Sequence, residues 1–310
     1  FQAEDGIRDV APSRGLGVVT VAAFFAMLSG RKISLMQRST LQDAISAPKV
    51  GGIVRLTRFI VRGTFLIELI GMIVMLPTFC GNYGIKGIWM AAFHSVSAFC
   101  NAGFDILGTA ENKYPSLTGY IGNSAINITI MLLIIVGGIG FLTWDDIYTN
   151  KWHFKKYLMQ SKVILVTTAI LIIAPAVFFF FCDFTGLPLD KRILASLFQS
   201  VTPRTAGFNT ADLPAMTGSS KAIMILLMLV GGSPGSTAGG MKTTTLAVLI
   251  LSAFSVCRKK DDAEVCGRRI DGSAVKNAAA VAVMYFLLFS PNSAFFISYP
   301  LASINARNSE

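Results

Sequence analysis

Charge is what this 310-residue chain has least of. Asp, Glu, Lys and Arg together make up 14% of it, against roughly 25% in soluble domains. Hydrophobic residues make up 53% and the mean hydropathy is +0.60, which excludes an ordinary soluble globule and puts most of the chain in lipid. Cysteine is sparse too. Cys80, Cys100, Cys182, Cys257 and Cys266 are odd in number and lack C-x-x-C spacing. That excludes a disulfide framework and a zinc site and leaves them as apolar filler.

The charge that is present is mostly positive, a net +10, and its distribution decides what it serves. Arg31, Lys32, Arg38, Lys49, Arg55, Arg58 and Arg62 precede one apolar run. Lys151, Lys155, Lys156 and Lys162 precede a second, and Arg258, Lys259, Lys260, Arg268, Arg269 and Lys276 a third. The loops near 80–120 and 183–220 are less basic and more nearly balanced. This alternation is the positive-inside pattern and turns the three basic loops to the cytoplasm. A nucleic-acid surface, which needs its charge on one continuous face with aromatic platforms, is excluded.

What the chain has in abundance is apolar runs of membrane-spanning length, so it reads as one all-α integral membrane domain built of repeats. Residues 16–29 read as the inner end of a spanning helix, and 54–79 as an outward span with Pro77 near its exit. Residues 87–100, with Trp89, Phe93 and Phe99, form a helix too short to cross. Residues 121–144 are expected to span back in one piece, ending at Trp144, Asp145 and Asp146. The order then repeats: 162–182 outward, 190–201 short, 220–256 inward, and 273–289 opening a further span. The divisions expected are 14–53 for the end of a first repeat and its cytoplasmic loop, 54–150 for a second repeat, 151–258 for a third and 259–289 for the start of a fourth. The polar start, Phe1 to Val10, resembles a translated sequencing adapter, so 1–13 is read as a non-native leader. The tail at 290–310 never regains membrane character and is read as aberrant, with a natural polar ending as the alternative.

After each short helix stands a shared motif, Ala98-Phe99-Cys100-Asn101-Ala102-Gly103-Phe104-Asp105 and Thr202-Pro203-Arg204-Thr205-Ala206-Gly207-Phe208-Asn209. A re-entrant half-helix, a Gly-centred loop and a full span is how a membrane protein presents bare carbonyls to a cation. The second informative stretch is Gly231-Gly232-Ser233-Pro234-Gly235-Ser236-Thr237-Ala238-Gly239-Gly240-Met241-Lys242, which interrupts the last span. Its glycines and proline break a helix in mid-membrane, and irregular backbone at that depth lines water or packs in protein. A flexible constriction below the cation loops is the functional reading; an extramembrane loop joining two short helices is the bland one. Gly235-x-x-x-x-Gly240 with Lys242-Thr243 nearly spells a phosphate loop, but Met241 displaces the lysine and no strand precedes it. Lys242 is either a functional charge at membrane depth or a lysine that snorkels to the inner surface.

Together these three motifs, in this order between about Gly15 and Phe289, resemble the Trk/Ktr/HKT superfamily of potassium transporters, and the Ser-Pro-Gly-Ser-Thr-Ala-Gly-Gly form points to the Ktr-type membrane subunit. The resemblance implies four helix, pore-helix, filter-loop, helix repeats around a pseudo-fourfold ion pore. Gly103 is then the filter glycine of the second unit and Gly207 that of the third, while the stretch 231–245 is the third unit's intramembrane gating loop. Gly15-Leu16-Gly17 matches the inner-helix end of the first unit, as Gly137-Gly138-Ile139-Gly140 does in the second. The first and fourth filter loops have no counterpart in the sequence. The resemblance also implies potassium uptake in a multi-pass inner (plasma) membrane protein, Na+ as a coupling ion, a homodimer, and a cytosolic ring of nucleotide-binding regulatory subunits. It implies neither covalent cofactor, nor enzymatic chemistry, nor nucleic acid.

The chemistry of the motifs fits that role. A dehydrated potassium ion needs a ring of carbonyls, and glycine turns carbonyls inward without a Cβ clash. The expected ion-binding residues are Asn101, Ala102, Gly103 and Phe104 with Thr205, Ala206, Gly207 and Phe208. Asn101 and Thr205 add carbonyl or side-chain oxygens, and Phe104 and Phe208 wedge the loops against neighbouring helices. Each half-helix C-terminus, about half a negative charge, faces the path. Asp105 either concentrates cations at the mouth or is a solvated loop charge. His94 reads as a packing residue, Glu68 as either paired for function or packed, Asp145 and Asp146 as capping or solvated, and Arg204 as a tie to a carboxylate outside the pore. A secondary transporter for a small solute, which also uses broken helices, is the alternative; it needs paired broken spans and not half-helices.

Overall fold

Hydrocarbon thickness sets the lengths of the helices in this all-α membrane fold. In the computed structural model the described residues are 53–109, 115–259, 264–265 and 268–287. The expected leader, the end of the first repeat at 14–52, the tail at 290–310 and Cys266 lie outside them. Among the described residues, α1 (Ile53–Tyr83) and α5 (Met159–Cys182) are each long and apolar enough to cross a bilayer. Their outward stripes, Phe65, Leu66, Leu69 and Ile73 on one and Val166, Ile170, Ile173, Val177 and Phe181 on the other, are exposed large hydrophobics at helical spacing. Such faces are stable only against lipid.

Each long helix is followed by a short one packed against it, α2 (Lys86–Phe99) on α1 and α6 (Leu189–Val201) on α5. Both match their expected limits within a residue. The helix α1 runs through Pro77 to Tyr83, past the expected exit at 79. Proline removes one ladder bond without ending the helix, and Gly84, at φ +60°, ends it instead.

The return path at 121–144 differs from expectation. Residues 121–144 are not one span: α3 (Ser124–Gly138) stops, and α4 (Phe141–Asn150) leaves at 97° to it. Gly140 sits at φ +89° between them, where a Cβ would lie 2.6 Å from Pro234 O. The physical cause is distant in sequence. Gly137 O and Gly138 O accept the amides of Thr237 and Ser233 at 3.1 and 2.9 Å, and Phe141 N–H donates to Gly235 O at 2.9 Å. The helix gives up its last turn to the third unit's loop.

That third unit returns through α7 (Gly218–Leu229) and α8 (Thr243–Cys257), separated by the glycine-rich stretch as expected. A two-stranded hairpin, β1 (Glu264–Val265) with β2 (Arg268–Arg269), and helix α9 (Gly272–Leu287) follow. The hairpin is a small strand element in a chain expected to be all helix. The largest buried cluster joins both units: Phe79, Phe99, Ile126 and Ile130 pack with Phe198 and Phe208.

Candidate functional site

Both short helices end in loops built by the same local rules. In the first, Asn101 N–H donates to Ala98 O and Ala102 N–H to Ser97 O, at 3.1 and 2.9 Å. In the second, Ala206 N–H and Gly207 N–H both donate to Thr202 O, at 3.1 and 3.2 Å. A hydroxyl from each helix end then holds the phenylalanine carbonyl beyond the glycine: Ser97 Oγ donates to Phe104 O at 2.8 Å, and Thr202 Oγ1 donates to Phe208 O. The closing Asp or Asn of the motif folds back on the chain two residues on. Asp105 Oδ1 accepts Leu107 N–H at 3.1 Å and Asn209 Oδ1 accepts Ala211 N–H at 3.2 Å. The choice of Asp or Asn is thus explained by an Asx turn, a role both side chains can fill.

The backbone of the loops alternates in hand. Asn101 and Gly103 have φ of +49° and +69°, and Thr205 and Gly207 have +69° and +87°. Glycine accepts this freely; Asn and especially β-branched Thr do so at a cost. Two left-handed residues one apart reverse successive peptide planes, the means by which neighbouring carbonyls are brought to one side. The two loops are in contact: a Cβ on Gly103 would lie 2.0 Å from Ala206 O and 2.9 Å from Gly207 Cα. Around Gly207 the closest such neighbour is Gly103 Cα at 3.7 Å. The glycines are therefore required for different reasons, Gly103 by space and hand, Gly207 by hand.

Asn101 Oδ1 and Thr205 Oγ1, at equivalent positions of the two loops, are buried side-chain oxygens with no hydrogen-bond partner among the described residues. A buried oxygen left unpaired is costly. Ala206 and Phe208 are 1% exposed, whereas Phe104 is 69% exposed. The expected aromatic wedge is therefore seen in Phe208, which packs near His94, and not in Phe104, although both loops are held by their phenylalanine carbonyls. His94 is fully buried, donates from Nδ1 to Met90 O at 2.7 Å and stacks on Phe79, the packing role expected. Arg204 is buried, yet its Nε has no partner among the described residues, so the expected tie to a carboxylate is not formed there. Asp146 accepts from Asn150 Nδ2 at 2.7 Å and from Leu158 N–H at 2.8 Å, securing the approach to α5.

The glycine-rich stretch folds on itself directly beside these loops. Gly231 N–H donates to Met241 O at 2.9 Å, Gly232 N–H to Gly239 O at 3.2 Å, and Thr243 N–H to Gly232 O at 3.1 Å. Inside, Ser236 Oγ donates to Ser233 O at 2.6 Å and Ser233 Oγ meets Thr243 Oγ1 at 3.0 Å. Gly231, Gly232, Ser233, Pro234, Gly235, Ser236, Ala238 and Gly240 are buried or half-buried. Lys242 does not snorkel to the inner surface: it is 5% exposed and donates from Nζ to Ala238 O at 3.2 Å. The Ala238 carbonyl inside the loop binds the ammonium in place of water. The stretch touches both motif loops, with Thr237 bonded to Asn101 and a Cβ on Gly240 lying 3.5 Å from Thr205 Cγ2.

Paired Gly-centred loops at half-helix ends, with the folded glycine-rich stretch packed against both, therefore form one assembly. Residues 10–299 match the TrkH family of cation transport proteins. The chain belongs to that family. The TrkH family is one of multi-pass plasma-membrane transporters, not of enzymes. The chain is 37% identical over 270 residues to the potassium/sodium uptake protein NtpJ of Enterococcus hirae, covering 85% of this chain and 58% of that protein. It is 33% identical over 284 residues to the Ktr system potassium uptake protein B of Bacillus subtilis, covering 89% and 62%. The crystal structure of the potassium transporter TrkH from Vibrio parahaemolyticus superposes with a TM-score of 0.65 at 17% identity, covering 89% of this chain and 55% of that one, and shares the fold. The chain thus spans about three-fifths of the length of these curated relatives.

Proposed function

We propose that this chain contributes the second and third quadrants of a potassium uptake pore. Asn101, Ala102, Gly103 and Phe104 with Thr205, Ala206, Gly207 and Phe208 supply filter oxygens, and 231–242 is the gate. The observation that carries the reading is the alternating backbone at Asn101-Gly103 and Thr205-Gly207, strained in both loops at equivalent residues. Backbone strain of that kind persists where the surroundings enforce it, and it gathers at functional sites. The paired orphan oxygens of Asn101 and Thr205 support it, because a dehydrated cation repays buried oxygens that lack a donor. Potassium is the cargo, as in the names of the Enterococcus and Bacillus relatives, and sodium serves as coupling ion.

A carrier for a small solute would also break its inner helices, and both returning paths here are broken. The backbone groups freed at these breaks, however, bond largely to one another, within the glycine-rich stretch and from it to the end of α3. That leaves few of them for a solute. The half-helices α2 and α6, with their negative ends toward the loops, favour a cation path.

The assembly is a homodimer on a cytosolic ring of nucleotide-binding regulatory subunits, consistent with the relatives being named as parts of a Ktr system. The decisive experiment compares Gly103→Ser and Gly207→Ser in the full-length transporter, reading K+ against Na+ uptake into lipid vesicles. Both lose discrimination, Gly103→Ser more, because its side chain meets the Ala206 carbonyl as well as the wrong hand. Unchanged discrimination in both would remove these loops from the filter.

A further inference from the structure

We infer that Thr237, a residue of the gating loop, sets the shape of the second filter loop and so takes part in ion discrimination as well as in obstruction. This inference rests on the filter-and-gate reading above and deepens it. The Thr237 hydroxyl donates to Phe99 O at 2.9 Å and accepts from Asn101 Nδ2 at 2.9 Å. Its amide donates to Gly137 O at 3.1 Å. One residue of the third unit therefore ties together the end of the half-helix α2, the filter loop after it, and the end of α3.

Each tie replaces something the second unit cannot supply for itself. Phe99 O belongs to the last turn of α2, where carbonyls lack a helical partner. Asn101 holds a left-handed backbone at φ +49° without being glycine, and its amide bond to Thr237 anchors the side chain of that strained residue. There is no slack in the junction: a Cβ on Gly137 would lie 2.1 Å from Phe99 O and 2.8 Å from Thr237 Oγ1. Among the described residues the third unit's loop has no such tie at the equivalent place, since Thr205 Oγ1 has no partner there and Thr205 lies near the gate through its methyl, at Gly240. Displacing the gate therefore releases the second loop selectively. Gate position and filter geometry are one coupled variable, and Thr237 is the positioning residue that couples them.

The test uses the full-length transporter in lipid vesicles, with KM and kcat for K+ and the ratio of K+ to Na+ uptake as readouts. Thr237→Val keeps the shape and removes the hydroxyl; Thr237→Ala removes it without filling the junction and carries the same expectation should the valine variant fail to fold. Both should raise the KM for K+ and lower the K+ to Na+ ratio about tenfold or more, the effect of losing the two hydrogen bonds that the hydroxyl makes with Phe99 O and Asn101 Nδ2. Thr237→Ser should stay within about twofold of the parent, since it keeps the donor. Asn101→Ala should produce part of the same loss, and the double variant should fall short of the sum of the two, because they share the Asn101–Thr237 bond. A change in kcat alone, a serine variant as impaired as valine, or full additivity with Asn101→Ala would overturn the coupling. Gly103→Ser in the same vesicles separates the two claims. If it leaves discrimination intact, the filter reading falls; if it lowers discrimination while Thr237→Val does not, the coupling alone falls.

Discussion

Replacing Gly231 by alanine should open the glycine-rich plug, while the same change at Gly239 should do almost nothing. A Cβ on Gly231 would lie 1.6 Å from Gly239 O and 2.9 Å from Gly240 Cα, whereas nothing lies within 4 Å of a Cβ on Gly239. The first cannot be accommodated without moving the 239–241 backbone away. That movement breaks the bonds from Gly231 N–H to Met241 O and from Gly232 N–H to Gly239 O. At about 1 kcal/mol net for each bond, the closed loop loses about 2 kcal/mol. A shift of that size changes a closed-to-open ratio by roughly thirtyfold. The assay is the initial rate of K+ uptake into vesicles, normalised to inserted protein. Gly231→Ala should raise the rate, up to about thirtyfold where the closed loop dominates, and Gly239→Ala should match the parent. An unchanged or lower rate for Gly231→Ala at normal insertion, or equal effects of the two substitutions, would refute the role of the loop as an obstacle.

Asn123 caps α3 by accepting Ile126 N–H at 3.1 Å, so Asn123→Ala should cost about 1 kcal/mol and lower the thermal midpoint of the purified protein without altering selectivity. Asp183 accepts Thr217 N–H at 2.8 Å and the Ser220 hydroxyl. Asp183→Ala leaves the buried Ser220 hydroxyl without its acceptor at the start of α7 and should destabilise by about 1–3 kcal/mol, read in the same melting experiment; Asp183→Asn, which keeps an acceptor, should recover part of it. If the proposed regulatory ring docks on the basic inner loops, charge reversal at Arg258, Lys259 and Lys260 should abolish co-purification with it and leave membrane insertion intact, and retained co-purification would exclude that loop as the docking surface.

Much of the architecture was legible because membrane thickness leaves few choices. Helices α2 and α6 stood out as too short to cross, and their observed limits differ from expectation by about one residue. The shared Ala-Gly-Phe motif located both loops by composition alone. The break at Gly140 was not legible, because Gly137-Gly138-Ile139-Gly140 reads locally as the frayed end of a helix. The amides that make the break worthwhile belong to Ser233 and Thr237, far along the chain. The left-handed backbone of Thr205 was hidden for a similar reason, since local preference opposes it and only the packed surroundings enforce it. For Lys242 the sequence left two readings open, because a lysine at membrane depth often reaches for water; only the fold shows a loop carbonyl within its reach. Asp105 invited an electrostatic reading, and only the matched turn at Asn209 reveals the geometric one.

The unwound end of α3 has a consequence for how such a protein is built or rebuilt. Two carbonyls at the close of one unit, Gly137 and Gly138, find their donors in the plug of the next, and Phe141 returns a donor to Gly235. Sequence repetition suggests interchangeable cassettes, yet neither unit is chemically complete by itself. A chimera that transplants 54–150 from a relative while keeping the native plug imports a helix end shaped for someone else's loop. It should insert well, because its apolar spans are intact, and yet lose the seam between neighbours. The smallest transplantable part is therefore not a repeat but a repeat together with the twelve-residue stretch Gly231 to Lys242 that bonds to its end.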